Sequence, residues 1–94
     1  MRIDIRALDH GDPLRFVVII HEDGSETRHE VTLSHGKLRE LAGETADARD
    51  CVEAAFRFLL DREPKDSILK RFDVSVIERY FPEFRREFPR YLAR

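Results

Sequence analysis

Apolar and polar residues alternate over the first third of the chain, and this alternation predicts three β-strands. The predicted strands cover about residues 2–8, 14–22 and 26–33. A period of two is typical of strands that bury one face. Between the second and third strands, Asp23 and Gly24 suit the two central positions of a type I′ turn, where both residues need positive φ.

This turn predicts the register of the second hairpin. If Glu22 pairs with Ser25, one face of the pair becomes apolar, with the pairs Ile20–Thr27, Val18–His29, Phe16–Val31 and Leu14–Leu33. The other face is mixed, with the pairs Val17–Glu30, Ile19–Arg28 and His21–Glu26. A loop over residues 10–13 adds Ile3, Ile5 and Ala7 to the apolar face, although its sequence allows more than one loop length.

A helical spacing of apolar residues predicts one long helix over residues 45–62. Its apolar stripe contains Ala48, Val52, Ala55, Phe56, Leu59 and Leu60. Thr45 is the expected cap, and Pro64 ends the helix because it excludes Glu63 from helical geometry. We expect this helix to lie across the apolar face of the strands.

Shorter helices are predicted on either side of the long one. They cover about residues 35–42, 67–72, 74–81 and 82–92. Pro82 suits a first helical turn, whereas Pro89 is expected to interrupt the last helix. Spacings of three and seven place Phe81, Phe84 and Phe88 on one side of it, and we expect these rings to turn inward.

These elements predict an α+β fold in a single domain of residues 1–94. It consists of a three-stranded antiparallel meander covered by one long helix and followed by short C-terminal helices. A chain of 94 residues with 41% hydrophobic residues can bury a core without a metal or a disulfide.

Composition and cysteine content favour a cytoplasmic protein. The only cysteine, Cys51, cannot form an internal disulfide, which is typical of a reducing compartment. The first ten residues contain no apolar signal-peptide core, and no apolar run is long enough for a membrane span. We therefore expect a cytoplasmic protein without a membrane association.

The candidates for chemistry predict no catalytic, metal or cofactor site. The histidines at positions 10, 21, 29 and 35 have no metal-ligand spacing. Cys51 lies on the apolar stripe, where a thiol stays protonated. His29 is expected to be a partly buried strand residue with one hydrogen-bonded nitrogen. We expect no enzyme activity, no cofactor and no small-molecule ligand.

Two features predict a protein partner. Val17 and Ile19 form an apolar strip on the mixed face, which either the C-terminal helices or a second protein must cover. The outer strands also leave edges that allow a specific dimer. Aromatic residues and arginines are favoured at interfaces, so the predicted partner-binding residues are Arg79, Tyr80, Arg85, Arg86, Arg90 and Tyr91.

The sequence thus favours a small non-catalytic binding or regulatory protein that contacts an unidentified protein partner or forms a homodimer. The alternative is nucleic-acid binding through the same arginine-rich aromatic segment. It is less favoured because the net charge is −2 and because residues 70–94 contain four acidic residues among seven basic ones.

The stretches FRFLLDREPKDSIL and VIERYFPEF resemble segments of short bacterial proteins of uncharacterised function. Those proteins have a similar length, a strand-rich beginning and a helical end that contains Phe-Pro steps. The resemblance implies no activity, and it identifies no functional residue in this chain.

Overall fold

The structure, a computed structural model, describes residues 1–92. The strands are β1 (Arg2–Asp9), β2 (Leu14–Glu22), β3 (Ser25–Leu33) and β4 (Arg71–Asp73). The helices are α1 (His35–Ala42), α2 (Ala48–Leu60), α3 (Ile77–Tyr80) and α4 (Phe84–Leu92). Short 3₁₀ turns cover Lys65–Ser67 and Val74–Val76. The fold is therefore α+β, as the sequence predicts.

The predicted register of the second hairpin is confirmed. Glu22 lies opposite Ser25, and every pair of β2 and β3 follows from it as far as Leu14 opposite Leu33. The turn residues Asp23 and Gly24 have φ values of 54° and 76°. The apolar side chains of both strands therefore share one face.

The first hairpin places the expected residues on the apolar face. Ile3 lies opposite Ile20, Ile5 opposite Val18 and Ala7 opposite Phe16. An irregularity between Ala7 and Asp9 allows the strand to continue to Asp9, beyond its predicted end.

The prediction of a helix over residues 67–72 is wrong, and the predicted three-stranded meander is present but lacks the fourth strand of the sheet. Residues 71–73 form β4, which pairs in parallel with residues 30–32 of β3, so the mixed sheet has the order β1-β2-β3-β4. The Glu30 N–H donates to the Lys70 carbonyl at 2.8 Å. The unpaired backbone groups along the edge of β3 need partners, and this need outweighs a weak local helix preference.

Three other helix predictions need correction at their boundaries. Helix α2 begins at Ala48, because the Asp47 side chain, rather than that of Thr45, accepts the capping hydrogen bond. The predicted helix over residues 74–81 divides into a 3₁₀ turn and α3. Helix α4 begins at Phe84 and continues past Pro89. Because proline has no N–H, the carbonyl four residues before it lacks its helical partner, and this carbonyl lies on an exposed side of the helix.

The C-terminal phenylalanines are part of the core, as predicted. Phe84 and Phe88 are 0% exposed, and Phe81 is partly buried against the same cluster. The Phe58 ring of α2 lies 4.9 Å from the Phe84 ring and 5.9 Å from the Phe81 ring, measured between centroids. Aromatic packing therefore joins α4 to α2.

The strip formed by Val17 and Ile19 is not covered by the C-terminal helices. Val17 is 6% exposed but lies outside the main core cluster. It shares a shallow concavity with the long side chains of Arg6 and Arg28. The aliphatic parts of such side chains can cover an apolar neighbour while their charges stay in water.

His29 is more deeply buried than expected, and both of its ring nitrogens are hydrogen-bonded. Nδ1 lies 2.7 Å from the Leu69 carbonyl, and Nε2 lies 2.8 Å from the Thr27 hydroxyl oxygen. A carbonyl can only accept, so Nδ1 carries the proton and Nε2 accepts from Thr27. The hydrogen bond from His29 to the Leu69 carbonyl holds the segment before β4 against β3. Desolvation by burial lowers the pKa of His29.

We expect Phe88→Ala to lower the free energy of unfolding by about 3 to 5 kcal/mol, because it removes a fully buried ring. Tyr80→Ala, at a side chain that is 67% exposed, is the control and should cost less than about 1 kcal/mol. Urea denaturation measures both values. Equal losses would contradict this assignment of the core.

We expect His29 to make the protein less stable in mild acid. Since its pKa is lower in the folded state than in the unfolded chain, stability should fall as the pH drops below about 6.5, by at most about 1.4 kcal/mol per pH unit. His29→Gln should remove this slope between about pH 7 and pH 5. The exposed control His10→Gln should keep it. Thermal unfolding at each pH provides the measurement.

Candidate functional site

An apolar groove lies where the end of α2, the segment before β4 and helix α3 meet. Its walls include Leu59 of α2, Ile68, Phe72 of β4, Ile77 of α3 and Phe81. We call it the α2–α3 groove. Its volume is about 200 Å³, below the range of about 300–1,000 Å³ that is typical of small-molecule pockets. The groove has room for one or two side chains.

Two exposed apolar side chains lie at this groove. Leu69 is 49% exposed and Tyr80 is 67% exposed. They are two of the four large hydrophobic residues that are exposed among residues 1–92, the others being Met1 and Leu8. Exposed apolar groups that cluster around a concavity are typical of interaction sites, whereas single ones are ordinary.

The extended backbone before β4 explains the exposure of Leu69. Ile68 is buried, and Leu69 follows it in a non-helical segment. Neighbouring side chains of an extended segment point to opposite sides. The bond from His29 to the Leu69 carbonyl holds this arrangement.

Glu63 provides the acidic group of the groove. Its carboxylate forms no ion pair with any residue in the described part of the chain. Desolvation by burial raises its pKa. By contrast, the nearby Glu83 accepts a hydrogen bond from Arg62 at 3.0 Å, and this bond lowers the pKa of Glu83. A cation that bound beside Glu63 would therefore offset an existing electrostatic cost.

Of the six residues predicted to bind a partner, Tyr80 lines the groove. Arg79 is exposed beside it and forms no ion pair within residues 1–92. The other four lie on α4. Arg85 and Tyr91 contact other helices, whereas Arg86 and Arg90 form ion pairs with Glu87 of the same helix. The six side chains therefore have different surroundings: two lie at the groove, two contact other helices and two are exposed on α4.

Arg85 joins three helices through carboxylates. It forms ion pairs with Glu40 of α1 and, at 3.3 Å, with Glu78 of α3. The Lys37 ammonium lies 2.9 Å from the same Glu78 carboxylate. These bonds lower the pKa of Glu78. The Arg85 guanidinium is thus already engaged within the fold.

Arg86 and Arg90 extend from the exposed side of α4 and share one carboxylate. Glu87 forms ion pairs with both of them, and these contacts lower its pKa. The two guanidinium groups remain more than three-quarters exposed. They are accessible to a partner, but with a negative charge between them.

Both the hydroxyl and the ring of Tyr91 contact other parts of the fold. Its hydroxyl donates to the Asp61 carboxylate at 2.6 Å and accepts from Arg62 at 3.3 Å. Its ring packs edge-on against Phe58, with the centroids 5.7 Å apart. Tyr91 therefore packs α4 against the end of α2.

Sequence reasoning missed Glu63 and Leu69. A helix over residues 67–72 would direct Ile68, Leu69 and Phe72 inward together, which hides Leu69. The available signal was the adjacent pair Ile68-Leu69, because an extended segment can bury only one of two neighbours. The raised pKa of Glu63 depends on its surroundings and has no signal in the sequence.

Other groups offer little chemistry. Cys51 is fully buried, and desolvation raises the pKa of its thiol to about 12, so the thiol is protonated at neutral pH as predicted. In the described part of the chain, no three His, Cys, Asp or Glu side chains are arranged to hold a metal ion.

Comparison of the chain with models of protein families, with curated proteins and with solved structures gave no match. None of the helices within residues 1–92 has both the length and the apolar composition that a bilayer crossing requires.

We expect Glu63→Gln to raise the thermal midpoint at neutral pH. The folded state raises the pKa of Glu63, so ionisation of this carboxylate costs stability once the pH rises through that pKa. The gain should vanish below the ordinary glutamate pKa of about 4.3, where both states are protonated. Thermal unfolding across this pH range measures it.

Glu83→Gln is the matched control. Its carboxylate has a lowered pKa in the folded state, so this variant should lower the midpoint at neutral pH and lose its effect in acid. A shift of the same sign in both variants would contradict the assigned environment of Glu63.

Proposed function

We propose that this chain is a small, cytoplasmic, non-catalytic binding or regulatory protein that acts through contacts with another protein. The observation that carries the proposal is the α2–α3 groove, with its apolar walls and with Leu69 and Tyr80 exposed beside it. Interface energy is concentrated in a few aromatic and apolar side chains that fill pockets. The groove offers such a pocket and a tyrosine next to it.

The groove fits a partner segment with an apolar anchor followed or preceded by a lysine or arginine. The apolar side chain would fill the volume of about 200 Å³. The basic group would reach Glu63, which has no cationic partner among the described residues. Charge complementarity at the rim of an interface favours the correct partner and its orientation.

The titratable groups of the groove support binding rather than catalysis. They are Glu63 and Tyr80, and no hydrogen bond joins them in the described structure. Acid–base catalysis requires groups that converge on a reacting atom. A protonated buried thiol at Cys51 is equally unsuited to nucleophilic attack, and it is compatible with a reducing compartment.

Nucleic-acid binding is the less supported alternative. Arg85, Arg86 and Arg90 each lie beside a glutamate, and a phosphate backbone would have to displace or approach these carboxylates. Binding by counterion release depends on unpaired cations along one surface. Of the predicted arginines, Arg79 meets this condition among residues 1–92.

The test is selection of peptides from a random display library with the wild-type protein, after removal of peptides that bind the Leu69→Ser/Tyr80→Ser variant. We expect the enriched peptides to share an apolar residue next to Lys or Arg. Tyr80→Ala should weaken the binding of a synthetic enriched peptide by about tenfold or more, as measured by calorimetry.

The Arg86→Glu/Arg90→Glu variant separates the two surfaces, because both side chains are exposed on α4 and do not line the groove. It should bind the peptide as the wild type does. Loss of binding in this variant, with binding retained in Tyr80→Ala, would overturn the groove and assign the site to α4. Salt-sensitive retention of the wild type on duplex DNA would instead support the nucleic-acid alternative.

A further inference from the structure

Strand β1 is a long edge strand. The sheet order β1-β2-β3-β4 leaves β1, with eight residues, at one edge and β4, with three residues, at the other. Edge strands leave backbone donors and acceptors unpaired and can form a sheet with another chain. The outer side of β1 is therefore a place where a second strand can add.

The register tells which residues of β1 direct their backbone groups outward. The turn pairs Glu22 with Ser25, so the even-numbered residues of β2 bond to β3 and the odd-numbered ones bond to β1. By the same alternation, the even-numbered residues of β3 point away from β2 and toward β4. The Glu30 N–H agrees with this, because it donates to the carbonyl of Lys70, the residue before β4. Since Asp4 lies opposite Ile19, the even residues of β1 bond to β2. The outward groups belong to Ile3, Ile5 and Ala7.

The exposed side chains of β1 alternate in charge along one face. They are those of Arg2, Asp4 and Arg6. Arg6 forms no ion pair within residues 1–92. Asp4 uses its Oδ2 atom for its contacts with Arg2, at 3.4 Å, and with His21, at 2.9 Å. A second acceptor, Oδ1, remains on Asp4 for a cation that approaches from the edge.

We propose that two copies of this chain form a symmetric dimer in which the β1 strands pair antiparallel about a two-fold axis at Ile5. Ile5 then lies opposite the Ile5 of the second copy, and Ile3 lies opposite Ala7. These are the residues whose N–H and C=O groups point outward, so the strands exchange complete pairs of hydrogen bonds. The two sheets join into one with eight strands.

The same register makes the charges complementary. Asp4 of each copy lies opposite Arg6 of the other, so two ion pairs form across the axis. They fall at the pairs without backbone hydrogen bonds, where side chains are closest. A C2 interface requires such self-complementarity of one surface patch.

Neighbouring registers are unfavourable. A shift of the axis to Asp4 places two aspartates opposite each other and Arg2 opposite Arg6. A shift to Arg6 places two arginines opposite each other. An intermediate register would set the apolar face of one sheet against the charged face of the other. An axis at Ile3 would also set Arg2 opposite Asp4, but it joins only residues 1–5 of each copy. Charge pattern and length of strand overlap together therefore select the axis at Ile5.

An exposed apolar side chain near the end of β1 also gains a neighbour. Leu8 is 43% exposed and lies at the irregularity of β1, near the place that Arg2 of the second copy would reach, and the aliphatic part of that arginine can cover it. Arg49 of α2 shares a concavity with Ile5 and Arg6. It is exposed and forms no ion pair in the described part of the chain, so it can move aside. The α2–α3 groove, beside β4, stays open in this dimer.

Equilibrium sedimentation of the wild-type chain and of charge variants tests the dimer. The wild type should reach twice the mass of one chain as its concentration rises. Arg6→Glu places two glutamates opposite two aspartates and should weaken association roughly 30-fold. The double variant Asp4→Arg/Arg6→Glu restores opposite charges and should recover it. Arg28→Glu, with the same change of charge on the same face of β3, should dimerise as the wild type does.

Hydrogen exchange identifies the interface directly. The amides of Ile3, Ile5 and Ala7 should become protected as the concentration rises, while those of Arg2, Asp4 and Arg6 should be protected already in the monomer. Ala7→Pro removes one outward N–H and should weaken association without breaking a bond to β2. A wild type that stays monomeric, or a dimer in which these three amides exchange as in the monomer, would overturn the proposal.

Discussion

The fold depends on the packing of aromatic rings around Phe58. This fully buried residue of α2 contacts the rings of Phe81, Phe84 and Tyr91, with centroid distances between 4.9 and 5.9 Å. The Arg62 guanidinium lies over the same ring at 3.7 Å. A helix as short as α4, with nine residues, is marginal by itself in water. Its burial against Phe58 supplies the tertiary energy that keeps it helical.

The second constraint acts on the other side of the C-terminal segment. His29 holds the Leu69 carbonyl from inside the sheet, and the Glu30 N–H holds the Lys70 carbonyl. These bonds position residues 71–73 to pair with the edge of β3 as a strand, and not to form a helix. A buried polar pair of this kind is costly unless it is complete, and here both nitrogens of His29 have partners.

The α2–α3 groove follows from these two attachments. The ring packing holds residues 81–91 against α2, and the hydrogen bonds hold residues 69–73 against β3. The 3₁₀ turn and α3 connect these two segments. They do not pack completely against α2, so a groove remains between them and that helix. The apolar surface that remains exposed beside Leu69 and Tyr80 is therefore a consequence of how the core is completed. The outer edge of β1 lies at the opposite end of the sheet order, so two surfaces can act independently.

Local and periodic information in the sequence determined much of the fold. The Asp23-Gly24 turn and the alternation of β2 and β3 predicted every pair of that hairpin, because a two-residue turn and a buried face each exclude a shift of one residue. The stripe of α2 and the inward direction of Phe84 and Phe88 follow from helical spacing in the same way. The alternating charges of β1 are also visible in the sequence.

Only the tertiary structure decided the features that depend on distant partners. Residues 71–73 become a strand because the edge of β3, 41 residues earlier in the chain, has unpaired backbone groups, and no local sequence pattern indicates this. The ion pairs of Arg85, the contacts of Tyr91 with α2 and the desolvation of Glu63 arise in the same way, from residues brought together by folding. Spacing along a chain predicts which face a side chain occupies, whereas the groups that meet it there depend on packing.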